Sequence, residues 1–570
     1  MKKRLIPPSL GFALIAALNL LSVGQAPAQT FTSRGNLYGS EAYFDTPLFL
    51  GKTLYASLHG LVFSGNTFYG TTPGDYETHD GGGVYAVNFD GEGHSSTSLH
   101  TFTPLPTYAP FINADGAFPY AGLILSGSTL YGTTQRGGHG DGTYGEGTLF
   151  AVSTNGTGFT NLHDFSSATY PGDAVYLAGN IPYGTTRAYG GGADSGTLFA
   201  INSSGFTNLH SFTPTHTNAL GVSTNSDGAY PQAVLVLSGN TLYGTALSGG
   251  SSGNGTVFAV NTNGTGFTNL HSFTATHTNT FGVSTNSDGA GPIGGLILLG
   301  NTLYGTALSG GSSGYGTVFK VNTDGRGFMN LLNFAAAGWL LSGDTLYGTA
   351  RMVGGSGSGM VFAVNTNGTG FMNLHSFTAT HTNDFGAFTN SDGANPQAGL
   401  TLLGHTLYGT AFDGGSSGKG TVFAVNTDGT GFTNLYSFTA TYPFYPYLFS
   451  DVFFTNRDGA YPQSGLNLSG NALYGTTASG GSLGSGTVFS ISFPPQLMIT
   501  LSGVPASGLI LSWPTNVAGF DYTGYRLQST TNPVSSAFWS TNSPAPVVIA
   551  GRNTVTNPIS GARQFYRLVQ

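Results

Sequence analysis

Short apolar runs of four to seven residues alternate with turns of Gly, Asn and Ser along most of this 570-residue chain. In the clearest copy the runs predict four strands, over residues 234–237, 241–245, 256–261 and 267–273. The runs are rich in β-branched and aromatic residues, and the turns contain the residues that reach positive φ most easily. No stretch beyond residue 28 has the period of an amphipathic helix. The pattern therefore predicts an all-β protein.

The four-strand pattern occurs eight times, and each copy is marked by a Tyr-Gly pair. The spacing of these pairs ranges from 43 residues, between Tyr304 and Tyr347, to 66 residues, between Tyr408 and Tyr474. One such unit cannot bury both faces of its sheet, so the units must stack into an open β-solenoid or a closed ring of blades. The shortest spacing matches a propeller blade, whereas solenoid coils are usually far shorter. We therefore predict a β-propeller of about eight four-stranded blades, with seven as the alternative. The marker tyrosines are Tyr69, Tyr131, Tyr183, Tyr243, Tyr304, Tyr347, Tyr408 and Tyr474.

The last copy lacks its fourth strand, because residues 486–491 are followed at once by Phe493-Pro494-Pro495. Residues 31–55 contain strand-like pieces but have no blade of their own. An N-terminal strand that completes the last blade would remove open sheet edges, which invite aggregation. We therefore predict that the two ends of the repeat region pair with each other.

The first 28 residues have the pattern of an export signal. A basic start is followed by an apolar stretch over residues 10–23 and by the small-residue site Ala26-Pro27-Ala28. No later segment approaches 18 apolar residues, so no membrane-spanning helix is predicted in the mature chain. These features predict a secreted or cell-surface protein that begins near Gln29, not an integral membrane protein.

Composition excludes several classes of function. Charged residues make up 7% of the chain, against about 25% in an ordinary soluble protein, and the net charge of −8 includes no long run of either sign. Nucleic-acid binding needs clustered Lys and Arg, so none is predicted. The chain has no cysteine, which excludes disulfides, thiolate catalysis and Cys-ligated metals. No cofactor is predicted.

The repeat resembles the GloVer tandem repeat of the "choice-of-anchor tandem repeat" bacterial exported proteins. The resemblance rests on Leu-Tyr-Gly-Thr, Gly-Thr-Val-Phe-Ala-Val-Asn, Gly-Thr-Gly-Phe and Leu-His-Ser-Phe, and it covers about residues 60–491. It implies export and a variable C-terminal anchoring module, and it implies no particular activity. Strands three and four also look like quinoprotein-type blades, but the tryptophan docking positions of that family are absent here. Quinone binding is therefore not implied.

Residues 496–570 contain no copy of the repeat. They carry several short β runs, with Trp513 and Trp539 as predicted core residues. The ending Arg563-Gln-Phe-Tyr-Arg-Leu-Val569 resembles small fibronectin type III-like modules. We predict a signal peptide over residues 1–28, a propeller over 29–493 and a β-sandwich over 496–570.

Antiparallel strands place the short, nearly constant turns at one end of each sheet and the long, variable loops at the other. Function usually lies in variable loops on a rigid scaffold, so the long loops are the predicted functional side. Their recurring Asp-Gly-Ala-x-Pro motif would bind cations or sugar hydroxyls, or its Asp would accept backbone N–H groups in a turn that Pro stiffens; we favour the second. A histidine in strand four gives way to Leu332 and Tyr436 in two copies, which indicates packing, and no metal site is predicted.

The loops between strands two and three in the first three copies hold most of the ionisable residues. Paired carboxylates with His or Arg would suit acid–base catalysis on glycosides or binding of calcium, whereas the simpler interpretation is a solvated charged rim. Later copies have Ser and Gly there, apart from Arg351, Asp413 and Lys419. The copy before Tyr347 lacks the long linker, which predicts a notch in the rim beside Trp339. The predicted binding residues are Asp75, Glu77, His79, Asp80, Arg136, His139, Asp141, Glu146, Arg187, Asp194, Trp339 and Arg351.

No nucleophile elbow, phosphate loop, dinucleotide fingerprint or metalloprotease helix is present. The sequence therefore favours a non-enzymatic binding or structural scaffold whose partner is a carbohydrate or a surface protein. The alternative is a polysaccharide-active hydrolase or lyase that uses the charged loops. A deep pocket with two carboxylates about 5–10 Å apart would favour the enzyme.

Overall fold

The regular structure of the described chain consists of β-strands, which confirms the predicted all-β class. No helix among the described residues has the length and apolar character needed to cross a membrane. The predicted export signal lies outside these residues. The computed structural model describes residues 30–36, 62–64, 67–72, 81–89, 94–108, 110–119, 122–139, 145–165, 169–178, 181–188, 195–202, 205–231, 234–351, 353–444, 453–469, 471–481, 486–493, 495, 497–502, 508–517, 520–522, 524–531, 539–541, 545–558 and 565–569.

Eight antiparallel sheets, one for each copy of the repeat, are present in the described part of the chain. We number them 1 to 8 in chain order. Sheet 1 contains Val62–Ser64, Thr67–Thr72, Gly83–Phe89 and His94–Thr101. Sheet 2 contains Ile124–Ser126, Thr129–Thr133, Thr148–Ser153 and Thr160–Asp164. Sheet 3 contains Thr169–Ala178, Ile181–Ala188, Thr197–Asn202 and Gly205–Ser211. Sheet 4 contains Val236–Ser238, Thr241–Ser248, Thr256–Asn261 and Thr268–Ser272, and Ala229–Pro231 pairs with its second strand.

The remaining four sheets have the same strand order. Sheet 5 contains Ile297–Leu299, Thr302–Ser309, Thr317–Asn322 and Met329–Leu332, with Ala290–Pro292 paired to its second strand. Sheet 6 contains Gly338–Ser342, Thr345–Ala350, Met360–Asn365 and Met372–Ser376. Sheet 7 contains Thr401–Leu403, Thr406–Ala411, Thr421–Asn426 and Thr433–Ser437. Sheet 8 contains Asn467–Ser469, Ala472–Ser479 and Thr487–Ser492, with Ala460–Pro462 paired to Ala472–Ser479.

The fourth strand of sheet 8 comes from the other end of the chain. Thr30–Asn36 pairs with Thr487–Ser492, where the other sheets have a strand from their own repeat. The missing strand is thus supplied by the N-terminal segment, as the sequence predicts. The other strand-like pieces before residue 56 lie outside the described residues.

The linkers between repeats form small hairpins of their own. These linkers leave the fourth strand of one sheet and return to the first strand of the next. Four linkers have such paired strands: His216–Thr217 with Ser223–Thr224, His277–Thr278 with Ser284–Thr285, His381–Thr382 with Phe388–Thr389, and Tyr442–Phe444 with Phe453–Thr455. In the linker before sheet 2, Asn113–Ala117 pairs instead with Arg136–Gly138 of the loop between strands two and three of that sheet.

The glycine of the Tyr-Gly pair makes room for an aromatic ring of the neighbouring strand, which is Tyr85 in sheet 1 and a phenylalanine in sheets 2 to 8. In sheet 5, Gly305 lies directly opposite Phe319, whose side chain is fully buried. A Cβ on Gly305 would lie 2.3 Å from the ring of Phe319, much closer than atoms can approach. The phenylalanine therefore occupies the space above the glycine, which explains why both residues recur together in the repeat.

Each of these sheets packs its apolar face against the next sheet in the chain. Between sheets 4 and 5, for example, Val257 and Phe273 share a core with Leu303. Burial of this kind supplies about 25 cal/mol for each Å² of apolar surface and is the main stabilising force available to a chain without disulfides. The first sheet also contacts the last, since the rings of Phe68 and Tyr474 lie 4.8 Å apart.

The described chain divides into two compact units. One consists of Thr32–Ser469 with Leu473–Ser490, and the other includes Ile491–Gln570. The second unit buries Trp513 completely, whereas Trp539 is only partly buried and lies 4.3 Å from the guanidinium carbon of Arg567. Its strands are Met498–Ser502, Gly508–Pro514, Arg552–Pro558 and Val547–Ile549 in one sheet, Ser540–Thr541, Arg526–Thr530 and Phe565–Val569 in another, and the pair Asn516–Val517 with Phe520–Asp521.

Candidate functional site

The long loops of the repeats emerge at the same end of their sheets. We call this end the loop face; it consists of the loops between strands two and three and of the linkers between repeats. The opposite end carries tight turns, such as the one in which the backbone N–H of Gly264 donates to the carbonyl of Asn261. Two described features of the loop face involve titratable side chains: a set of His–Asp pairs and a cavity.

The aspartate of the Asp-Gly-Ala-x-Pro motif holds the linker against the preceding strand. Asp288 is 4% exposed, and its carboxylate accepts the backbone N–H of Thr274 at 3.0 Å and the Thr274 hydroxyl. The same carboxylate lies 2.9 Å from Nε2 of His271 in strand four. The aspartate thus accepts a backbone N–H group, as the favoured interpretation predicts, but that group lies 14 residues away and not in a local turn. It also binds the histidine.

The ring of each such histidine stacks on a phenylalanine of the following repeat. His271 lies 3.7 Å from the ring of Phe328, with the two planes 9° apart. One histidine therefore joins its own strand, the linker and the next sheet, and we call this arrangement the His–Asp clasp. The same arrangement occurs at His100 with Asp115 and Phe159, His210 with Asp227 and Phe267, and His375 with Asp392 and Phe432.

The two copies that lack the histidine explain its role. Tyr436 donates its hydroxyl to Asp458 at 2.8 Å, and burial together with the carboxylate raises the pKa of that phenol. Leu332 occurs where the linker is too short to supply an aspartate, and it is 8% exposed within the apolar core. These two copies indicate a structural role for the position. His163 occupies it as well and stacks on Phe206 at 3.7 Å, although the linker of residues 165–168 contains no aspartate.

The His–Asp clasps make stability dependent on pH. Burial lowers the pKa of His210 and of His375 below 6.5, despite the neighbouring carboxylates. Burial alone would raise the pKa of Asp288, but hydrogen bonds from His271 and Thr274 outweigh it and lower the pKa below 3.8. Groups with lowered pKa values bind more protons in the unfolded chain, so their contribution is complete above the unfolded pKa and is lost as pH falls.

We therefore expect the urea midpoint of the chain to fall in two stages, first below about pH 6.5 and again below about pH 4. The double variant His210→Tyr, His375→Tyr copies the Tyr436 arrangement and should reduce the first stage while leaving the second. Equilibrium unfolding between pH 3 and pH 8 measures both. A midpoint that stays constant between pH 8 and pH 4.5 in the unmodified chain would contradict this expectation.

A cavity of about 710 Å³ opens on the loop face between sheets 6 and 7. Its lining consists of residues 356–358 from the strand-two-to-three loop of sheet 6, residues 385–388 of the following hairpin, and Tyr461 before sheet 8, among others. Sheet 7 contributes Asp413 and Lys419 from its own loop. Such volumes are typical of ligand pockets, which lie between 300 and 1,000 Å³.

The polar groups of the cavity are held in place by hydrogen bonds. Asn395 donates its side-chain amide to Asp413 Oδ2 at 2.8 Å, and Lys419 Nζ donates to the Tyr461 hydroxyl at 2.7 Å. Backbone bonds between Ala394 and Asp413, at 2.8 and 2.9 Å, fix this segment of the loop. The site therefore presents a carboxylate, an amide, an ammonium group and a phenol in a rigid frame.

The apolar part of the cavity is unusually exposed. Phe385 is 95% exposed at the tip of its hairpin, and Phe388 is 62% exposed. The tip is not a loose loop, because the side-chain oxygen of Asn383 accepts the backbone N–H groups of Phe385 and Ala387. The fold thus fixes the backbone of the tip and leaves the ring of Phe385 in solvent.

Six of the twelve predicted binding residues lie outside the described residues; they are Asp75, Glu77, His79, Asp80, Asp141 and Asp194. Arg187 lies in a strand of sheet 3. These positions stay predictions.

The remaining predicted residues are divided between repeats 2 and 6. His139 is exposed and lies 3.5 Å from a carboxylate oxygen of Asp164. Arg136 lies in a short strand beside it, and Glu146 is 8% exposed with Oε2 lacking a hydrogen-bond partner. These side chains belong to repeat 2.

Trp339 belongs to the first strand of sheet 6. It packs against the core between sheets 5 and 6, and Arg351 is exposed at the end of the next strand. Only five residues separate sheet 5 from sheet 6, as the predicted notch requires. The tryptophan nevertheless contributes to packing.

Sequence reasoning missed the cavity, although it singled out two of its residues. Asp413 and Lys419 were visible as departures from a Ser- and Gly-rich loop. Asn395 and Tyr461 were not, because each occupies the variable position of the Asp-Gly-Ala-x-Pro motif in a different linker. The residues of the cavity could have been found from the sequence by noting where each copy departs from the repeat and then considering the departures of neighbouring copies together.

Residues 274–447 match the family model described as the Gloeobacter/Verrucomicrobia repeat, which supports the assignment of the repeat. No curated protein matches the chain.

Solved structures similar to the chain include three enzymes of low identity. A putative 6-phosphogluconolactonase from Bacteroides fragilis is 16% identical over 65% of this chain and 94% of that one, with a TM-score of 0.37. Oligogalacturonate lyase from Vibrio parahaemolyticus is 9% identical over 82% and 98%, with a TM-score of 0.40. A puromycin-hydrolyzing peptidase from Mycobacterium tuberculosis is 12% identical over 83% and 62%, with a TM-score of 0.37. At these TM-scores the similarities say nothing about the activity of this chain.

Proposed function

We propose that this chain is an exported, non-enzymatic scaffold that binds polysaccharide through its loop face. The observation that carries the proposal is the cavity between sheets 6 and 7, which combines exposed aromatic rings with a few fixed polar groups. Asp413 is the only carboxylate in its described lining, and its partner there is an amide. Glycoside hydrolysis needs two carboxylates on either side of the bond, so this cavity suits binding better than cleavage.

The proposed scaffold is a closed β-propeller of eight four-stranded blades, in residues 29–493. Two contacts support closure: the pairing of Thr30–Asn36 with Thr487–Ser492, and the ring contact between Phe68 and Tyr474. A closed ring has no open sheet edge and fixes the loops of all blades on one side. That arrangement suits a protein whose variable residues are concentrated in loops.

The proposed setting is outside the cytoplasm, at the cell surface or in the medium. It rests on the export pattern of residues 1–28 and on the repeat type. We further propose that residues 496–570 form a fibronectin type III-like β-sandwich, which the two small sheets of this unit and the buried Trp513 support. Such a module would serve as the attachment or spacing end of the protein.

A glycan array probed with the purified chain of residues 29–570 tests the proposal. Turnover assays then follow on every glycan that binds. We expect binding to at least one polysaccharide and no release of reducing ends or unsaturated products. Turnover would instead support the alternative, a hydrolase or lyase. The same array with a triple alanine variant of Asp75, Asp141 and Asp194 tests whether the charged loops of the first three repeats contribute.

A further inference from the structure

The repeats provide an internal comparison that identifies which residues of the cavity are unusual. Asp413 lies opposite Ala394, at the register position where Ser248, Ser309 and Ser479 lie opposite the corresponding alanines. A serine therefore fulfils the structural requirement of this position in three other repeats. The fold therefore does not require the carboxylate of Asp413, which indicates another role for it.

Lys419 is a second departure at an equivalent position. Its carbonyl accepts the backbone N–H of Tyr461, just as the carbonyl of Asn254 accepts that of Gly291 and the carbonyl of Ser358 accepts that of Asn395. Only the backbone takes part in this contact between repeats, so the side chain is free to vary. Here it is an ammonium group that reaches the Tyr461 hydroxyl.

Asn395 is the third departure, at the variable residue of the linker motif. The residue there has positive φ in every copy of the motif: 54° at Asn395 and between 57° and 66° at the other four, which are Phe118, Tyr230, Gly291 and Tyr461. The backbone shape is therefore fixed by the repeat, whereas the side chain is not. Three independent departures thus meet in one cavity, with their polar groups directed at each other or at Tyr461.

The hairpin tips extend the comparison to the aromatic part of the cavity. Leu220 and Phe281 occupy the tips of the equivalent hairpins and are 87% and 89% exposed, close to the 95% of Phe385. Each tip is fixed by an asparagine in the same way, through Asn218, Asn279 and Asn383. An exposed tip is thus common to three linkers, but only that of Phe385 lies beside the three polar departures.

We propose that this cavity, formed by Asn395, Asp413, Lys419 and Tyr461 with the Phe385 tip, is a binding site for a neutral glycan segment. The proposal rests on the function proposed above and names the site and the ligand class. An exposed phenyl ring suits the apolar face of a pyranose, and a carboxylate oxygen beside an amide accepts from adjacent sugar hydroxyls. The ammonium group and the phenol supply the complementary donors.

The charges of the cavity decide between a neutral and an acidic glycan. Lys419 is the single cation in the described lining, and it already donates to Tyr461. Asp413 would repel a uronate or a sulfated sugar in the same space, and desolvating that like-charge pair is costly. A ligand with hydroxyls and no carboxylate therefore fits the four groups best.

Affinity electrophoresis tests the proposal. The chain of residues 29–570 is run in gels that contain xylan, mannan, laminarin or soluble cellulose derivatives, with polygalacturonate as the acidic comparison. We expect at least one neutral glycan to retard the protein. Asp413→Ser, which copies the other repeats, and Phe385→Ala should each weaken this binding by about tenfold or more. The matched variants Ser309→Ala and Phe281→Ala, at the equivalent positions of sheet 5 and of the linker that precedes it, should bind like the unmodified chain.

The outcomes separate this proposal from the function on which it rests. Suppose that a neutral glycan binds, but that Phe281→Ala weakens binding as much as Phe385→Ala does or that Asp413→Ser has no effect. The assignment of the site to this cavity is then wrong, while the proposed binding function stands. Stronger retardation by polygalacturonate than by every neutral glycan overturns the ligand class. If no polysaccharide retards the chain, both proposals are wrong. Because Asp413→Ser introduces a residue that three equivalent positions already carry, unchanged urea midpoints should accompany the loss of binding.

Discussion

A chain that begins at residue 37 should unfold at a clearly lower urea concentration than the chain that begins at Gln29, and it should self-associate. Removal of Thr30–Asn36 leaves Thr487–Ser492 with an unpaired edge. Each backbone hydrogen bond lost costs on the order of 1 kcal/mol, and the exposed edge offers a template for pairing with a second chain. Urea unfolding and size-exclusion chromatography measure the two effects.

Replacement of residues 30–36 by a Gly-Ser segment of equal length is the control for chain length, and it should behave like the deletion. A synthetic peptide with the sequence of residues 30–36, added in excess, should restore part of the lost stability by binding the open edge. If the shortened chain elutes as a monomer with an unchanged midpoint, the pairing of the two ends contributes nothing and closure is not what stabilises the repeat region.

The variant Asp288→Ala should strongly destabilise the chain, because it removes the acceptor of a His–Asp clasp. It leaves the Thr274 N–H, the Thr274 hydroxyl and His271 Nε2 without their buried partner. A hydrogen bond to a charged group contributes about 1.5–3 kcal/mol, so the loss of all three should reduce the free energy of unfolding by roughly 3 kcal/mol or more. Urea denaturation followed by tryptophan fluorescence and by circular dichroism measures it.

Asp324→Ala is the matched control. Asp324 lies in an exposed turn of the same repeat and accepts the backbone N–H of Arg326, so its loss should cost well under 1 kcal/mol. Equal effects of the two substitutions would mean that the His–Asp clasp has no special role. A small effect of Asp288→Ala on its own would show that water replaces the carboxylate without cost.

Local features of the sequence were enough to predict the strands of a repeat. The third strand, Thr256–Asn261, has the predicted bounds, and the fourth, Thr268–Ser272, lies inside the predicted run. The second is longer than predicted and extends to Ser248, because it also pairs with Ala229–Pro231 of the linker. That extension depends on a linker segment that begins twelve residues before the strand. A prediction from strand propensity within a short window of sequence does not include that segment.

The same limit explains why the His–Asp clasp was not predicted. His271 and Asp288 are each visible as repeated residues, and the aspartate does accept a backbone N–H, although from Thr274, 14 residues away, and not within a local turn. Their pairing depends on a linker that folds back over strand four across a separation of 17 residues, and Phe328 comes from the next repeat. A side chain that meets partners from two other segments cannot be assigned its role from its own surroundings in the chain.

By itself, the sequence determined the all-β class, the number of repeats and the strands of each, because alternating apolar runs and glycine turns are local properties. It also marked the N-terminal segment as the missing strand, since one repeat was one strand short. Only the tertiary structure decided which variable residues act together. Asn395, Asp413, Lys419 and Tyr461 come from segments up to 66 residues apart, and they meet because a rigid scaffold directs the loops of successive repeats to one side.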